Sequence, residues 1–99
     1  MQSRIWFDFE ARVGVVLQLA PQRDDKIFAG EWSATAGAWR VKYEEWEFCH
    51  VLEGVCELVS DEGETARYAE GDSFIIEPGF SGVWRVIAPM KKRYVVQFL

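Results

Sequence analysis

Glu47, with Tyr43 four residues before it and Glu44 and Glu45 between, is the densest grouping in this 99-residue chain that could move a proton or hold a cation. Glu47 opens Glu47-Phe48-Cys49-His50-Val51-Leu52, a run that reads as a strand. Alternation sends Glu47, Cys49 and Val51 to one face and Phe48, His50 and Leu52 to the other. A carboxylate on an inward face is costly unless it is protonated, hydrogen-bonded or paired with a cation. Glu47 therefore has two readings of equal weight. In one it is a general acid/base, with Tyr43 as its acid partner, or a residual metal ligand. In the other it is a structural carboxylate satisfied by Tyr43, Arg40 or a backbone N–H. Tyr43 can likewise donate to Glu47 or to a ligand, or simply fill the core. Glu44 and Glu45 fall on a loop, where three neighbouring acids could gather a hard cation through oxygen; a solvated charge run is the expectation for those two.

His50 is the single histidine, and strand parity places it opposite Glu47. A core-edge or interface role follows, and no Ser/His/Asp set can be built around it. Cys49 and Cys56 bracket Glu53-Gly54 and are expected to be two small buried, reduced thiols. A reactive thiol would need a His or Lys on its own face. Trp39, Trp46, Phe74 and Trp84 serve either as core or as walls of an apolar pocket. Trp39, Glu45, Phe74 and Trp84 are the candidate ligand-binding set.

The elements that must carry these residues are short strands with turn chemistry at each joint. Glu31 to Thr35 and Ala38 to Tyr43 flank Ala36-Gly37. Glu47 to Leu52 and Val55 to Ser60 flank Glu53-Gly54, which reads as a hairpin turn. Thr65 to Tyr68, Ser73 to Glu77, Val83 to Ile87 and Arg93 to Leu99 follow, separated by Asp61-Glu62-Gly63, Glu70-Gly71-Asp72 and Pro78-Gly79. Earlier, Val13 to Leu19 reads as a strand and Pro21 to Lys26 as a polar loop. Turn signals at this spacing, with no helical period, mean an all-β sandwich or barrel.

Composition narrows the function classes. One domain spans residues 1–99, long enough for a core without staples. Hydrophobic residues make up 49% of the chain, charged residues 27%, and the formal net charge is −5. Lys91-Lys92-Arg93 is the one basic run and reads as a solvated strand start, so nucleic acid is not an expected partner. No apolar stretch reaches a membrane span, and the N-terminus lacks a signal-peptide core. A cytoplasmic location is the default. A strand apolar on both faces suits a homodimer.

Three segments carry a family resemblance. Gly30-Glu31-Trp32-Ser33-Ala34-Thr35-Ala36-Gly37-Ala38-Trp39-Arg40-Val41 resembles the entry strand of small cupins related to the cupin domain of ureidoglycine aminohydrolase. Glu47 through Gly54 resembles the end of the first cupin motif. Gly71-Asp72 through Pro78-Gly79-Phe80-Ser81-Gly82-Val83-Trp84 resembles the second. The match covers about residues 30–96 and implies a double-stranded β-helix, the jelly-roll barrel. In metal-binding cupins, the positions matching Glu47, Val41, Tyr43 and Gly82 hold a glutamate and three histidines, and the position matching Val86 holds an asparagine. Only the glutamate is kept, and a transition metal needs three or four converging donors. No metal is expected and the cofactor is unknown. The expected function is binding of a small polar molecule in the barrel, with a cationic or hydrogen-bond-donating ligand favoured by an acidic, aromatic cavity. The alternative is an enzyme acting on a ureide, amine or sugar derivative through Glu47, since the resemblance includes a manganese-dependent aminohydrolase. A scaffold or regulatory subunit is a third possibility that the fold does not separate from these.

Overall fold

The computed structural model describes the backbone of residues 5–7, 17–22 and 27–98, and side chains from residue 27 to 98. These form eight strands: β1 (Ile5–Phe7), β2 (Leu17–Gln22), β3 (Ile27–Ala34), β4 (Gly37–Lys42), β5 (Trp46–Ser60), β6 (Thr65–Ala69), β7 (Ser73–Ile76) and β8 (Ser81–Gln97). All pairings are antiparallel. The jelly-roll expectation holds.

Two long strands organise the rest. The first half of β5 and the second half of β8 pair with each other and carry β7, β3 and β2 beside them. The second half of β5 and the first half of β8 pair in turn and carry β6, β4 and β1. The result is two five-stranded layers that share β5 and β8. Inward residues of both layers meet between them, as in any sandwich core. Trp32 of one layer lies 5.5 Å from Trp39 and 6.0 Å from Trp84 of the other. Phe74 stacks on Tyr68 at 3.9 Å and meets Trp84 at 6.0 Å.

Glu53-Gly54 is a corner, not a hairpin turn. Residues 47–52 and 55–60 pair with β8 and not with each other, and the register shifts between Glu53 and Val55. An alternating run, Glu-Gly, and another alternating run look the same locally whether the chain reverses or bends. Likewise Val83–Ile87 and residues 93–97 of the expected strand Arg93 to Leu99 belong to one strand, bent near Pro89, whose missing N–H suits a gap in the ladder; Phe98 follows its end and Leu99 falls outside the described residues. Of the expected strand Val13 to Leu19, residues 17–19 lie in β2 and 13–16 fall outside the described residues. Of the expected loop, Pro21 and Gln22 end β2, and residues 23–26 fall outside as well.

At the corner Gly54 has φ +87°, and a Cβ there would lie 2.3 Å from the Pro89 carbonyl oxygen and 2.7 Å from Met90 Cα. Gly63 has a similar φ of +92° but opens onto free space. Gly63→Ala should therefore cost only the conformational penalty, about 1–2 kcal/mol. Gly54→Ala adds a backbone clash and should cost about 2–5 kcal/mol. Urea denaturation of the two variants side by side checks the difference; equal losses would mean that the corner does not need the close approach.

Candidate functional site

The first half of β5 points Glu47, Cys49 and Val51 into the barrel, all fully buried. His50 points outward, and its Nδ1 lies 2.7 Å from Ser73 Oγ. Two turns pin this neighbourhood in place. The Gly71-Asp72 turn exchanges backbone hydrogen bonds with Val51, Gly71 N–H donating to its carbonyl and Val51 N–H to that of Asp72, both at 2.9 Å. The Pro78-Gly79-Phe80 turn does the same with Tyr43: Gly79 N–H donates to its carbonyl at 2.7 Å and Tyr43 N–H to that of Phe80 at 2.8 Å. Both turns are conformational parts that fix where the buried side chains sit.

Glu47 is paired inside the barrel by Lys92. Lys92 Nζ donates to Glu47 Oε2 at 2.8 Å, and Lys92 is only 2% exposed. The same ammonium lies 3.5 Å from Cys49 Sγ, 4.4 Å from the ring centre of Trp84 and 5.0 Å from that of Trp32. Cys49 Sγ–H donates to Glu47 Oε2 at 3.1 Å. A carboxylate, a thiol and two aromatic faces thus surround one cation, drawn from β3, β5 and β8. Ion pairing and cation–π attraction are both strengthened by the dry surroundings.

The basic run at 91–93 is therefore only partly solvated. Met90, Lys92, Tyr94 and Val96 are buried, whereas Arg93 is exposed. Period-two parity from the apolar neighbours would have placed Lys92 inside; its charge hid that signal. Arg40, offered above as a partner for Glu47, lies outside and bonds Asp61 at 2.8 Å. Glu45, expected in solvent, is 4% exposed, and its Oε1 accepts the Glu44 N–H at 3.0 Å. Glu44 is the solvated member of the pair.

Of the remaining candidates, the Tyr43 hydroxyl is buried and accepts the Trp84 indole N–H at 3.0 Å. Trp39 stacks on Trp84 at 6.3 Å with 9° between planes. Tyr43, Trp39, Phe74 and Trp84 therefore share one aromatic wall around the Glu47–Lys92 pair, while Glu45 sits on the β4–β5 turn. An open groove of about 550 Å³ adjoins this wall, lined by Leu58, Tyr68, Ile76, Pro78 and Phe80, with Glu64 and Glu77 also on it. Tyr68 connects it to Phe74, and Phe80 meets Tyr43 edge-on at 6.3 Å. Sequence reasoning did not find this groove, because β6 and the 77–80 turn meet only through β5.

A transition metal does not fit the family's ligand positions here. Val41 offers no donor, and a Cβ on Gly82 would lie 2.0 Å from the Val59 carbonyl oxygen, so no side chain can stand there. Among the described residues no three His, Cys, Asp or Glu gather as a ligand set. An ammonium already contacts the glutamate that such a metal would need.

A lysine beside a cysteine is the usual device for making a thiolate, yet here burial wins. Desolvation holds the Cys49 thiol well above its ordinary pKa despite the nearby ammonium, and Glu47 adds to the rise. Burial likewise pushes Cys56 up to about 11. At pH 8 the thiolate fraction of Cys56 is thus about 100-fold below that of an ordinary thiol. Both thiols should resist an aromatic disulfide reagent at pH 8 in the native protein and react freely in denaturant. Fast native labelling of Cys49 would show that Lys92 activates it.

The residues that build this barrel match a known family. The EutQ-like cupin domain family matches residues 21–94. Among solved structures, the EutQ protein of Clostridium difficile superposes with a TM-score of 0.76 at 16% identity, covering 88% of this chain and 63% of its own. A putative ethanolamine utilization protein Q of Salmonella typhimurium LT2 gives 0.75 at 24% identity, with 86% and 68% covered. A DUF861 family protein of Thermotoga maritima gives 0.63 at 26% identity, with 65% and 73% covered. The chain thus spans less than two thirds of the Clostridium protein, and these likenesses speak for the fold alone. No curated protein matches. With an EutQ-like domain matched over most of its length and a jelly roll to carry it, the chain belongs to the EutQ-like cupin family.

Proposed function

We propose that this chain binds a small amine or ureide at the groove between β6 and the 77–80 turn, without a metal. The observation that carries the reading is the groove itself: apolar and aromatic on its floor, with Glu64 and Glu77 exposed on it. Its volume, about 550 Å³, falls in the range of small-molecule pockets. Aromatic faces and carboxylates together favour a ligand carrying an ammonium or several N–H donors. Burial raises the Tyr68 phenol above its ordinary pKa, so its hydroxyl stays protonated and available to such a ligand. The Salmonella relative's description as an ethanolamine utilization protein supports an amine, and the resemblance to the cupin domain of ureidoglycine aminohydrolase supports a ureide.

Glu47 and Tyr43 take a supporting part in this reading. A base must have a free lone pair within reach of the proton it removes. Glu47 and Tyr43 are both fully buried and line no part of the groove, and Glu47 Oε2 is held by the Lys92 ammonium, so neither reaches a molecule bound there. Binding therefore stands ahead of catalysis through Glu47.

Isothermal titration with ethanolamine, n-butylamine and a ureide tests the proposal, with amide chemical shifts to locate the contact. Saturable binding that perturbs Tyr68, Glu77 and Phe80 is expected. Glu77→Gln should weaken the amine about tenfold or more, the loss of one charge-assisted hydrogen bond. As an exposed substitution it should leave stability within about 0.5 kcal/mol. Absence of binding, or shifts confined to another face, would overturn the assignment.

A further inference from the structure

Glu47 is the one metal-ligand position that this sequence keeps, and the structure shows what it holds. Three observations meet there. The ammonium of Lys92 lies 2.8 Å from the Glu47 carboxylate and 3.5 Å from the Cys49 sulfur, with the faces of Trp84 and Trp32 beside it. The pair is shut off from water, Glu47 being 0% and Lys92 2% exposed. The Gly82 position has no room for a ligand side chain, because β5 backbone fills that space.

We infer that the Lys92 ammonium is this barrel's built-in cation, replacing a divalent metal at Glu47, and that deleting the lysine side chain leaves a site selective for a free primary alkylammonium. The chemistry follows from the shell. One carboxylate and two aromatic faces suit a soft, singly charged ammonium with three N–H donors. A divalent transition metal wants more negative or nitrogen donors than one carboxylate and a protonated thiol supply. Lys92 also excludes a metal by charge, since two cations cannot share one carboxylate oxygen in a dry interior without strong repulsion. A tether makes the replacement permanent: the ammonium arrives on β8 and pays no association entropy. This inference is independent of what the outer groove binds.

Its test uses the full chain. The wild-type protein, incubated with manganese, zinc and nickel and then desalted, should retain no stoichiometric metal by elemental mass spectrometry. Near-stoichiometric metal would overturn the inference. Lys92→Ala should lower Tm by about 15 °C or more, the consequence of a buried carboxylate without its cation. n-Propylammonium should restore a large part of that loss saturably, whereas n-propanol, its uncharged counterpart, should not. Equal effects of the two would mean that the space, not the charge, matters, and the inference would fail. Glu47→Gln/Lys92→Ala should lose the ammonium effect while amine binding at the groove persists; Glu77→Gln/Lys92→Ala should do the reverse. If Lys92→Ala does not fold, Lys92→Met and Glu47→Gln with their double variant give the answer. A double variant more stable than Lys92→Met alone supports an ion pair, and strictly additive losses refute it.

Discussion

The ion pair between Lys92 and Glu47 is the constraint around which the barrel is arranged. Moving either charge out of water costs several kcal/mol, and only a close, well-oriented partner offsets it. The pair forms between residues that are not opposite each other on the ladder. Lys92 pairs across from Val51, and Glu47 across from Val96. The lysine stem must therefore run along the strands, past Cys49, to reach its carboxylate. A slip of one residue between β5 and β8 would turn one of the two charges toward solvent and leave the other buried alone. The pair thus opposes any register but this one, at the seam that both layers share. Its net contribution to stability is a separate matter, since well-packed apolar residues in the same space can do as well.

Backbone packing enforces the same seam from outside the ion pair. At Gly54 the bent β5 meets the Pro89 carbonyl, and at Gly82 the first half of β8 presses on the Val59 carbonyl. Neither place tolerates a Cβ, for a different reason in each case: Gly54 combines a positive φ with contact, whereas Gly82 sits in an ordinary strand and lacks only space. The first lets two long strands pass from one layer to the other. The second removes the side chain at the position where metal-binding cupins hold a histidine. Closeness of backbones here has a chemical consequence, because a residue that cannot exist cannot be a ligand.

The jelly roll was legible because its information is local. Gly71-Asp72, Pro78-Gly79 and alternating apolar runs specify strands and turns by themselves. Glu53-Gly54 was misread because a corner and a hairpin share the same local chemistry, and only the pairing with β8 separates them. Glu47 was legible as an inward carboxylate that must be protonated, hydrogen-bonded or paired with a cation, but its partner was 45 residues away in a basic triplet that reads as surface. Parity with Met90, Tyr94 and Val96 places Lys92 inward, but a lysine is rarely buried unless paired, and the triplet's charge reads as surface. Glu45 shows the same failure in a turn, where no alternation exists to contradict its charge. The groove was out of reach for another reason: its walls come from segments brought together by tertiary structure alone.

The buried pair also bears on where chemistry can occur in this fold. An acidic interior was expected to attract a cation, and the attraction is answered from within the chain by Lys92. The described interior is otherwise largely aromatic, with Trp39 on Trp84, Phe74 on Tyr68 and thiols held protonated by burial. A ligand approaching Glu47 would have to compete with a tethered ammonium for its carboxylate. At the groove no such competition arises, since it is open and its glutamates are exposed. The retained glutamate then has a structural reason to persist without any metal: remove it and the buried Lys92 loses the carboxylate 2.8 Å from its ammonium. On this argument the inner residues set the shape and rigidity of the barrel wall, and the proposed small-molecule binding is left to the exposed side chains of the groove.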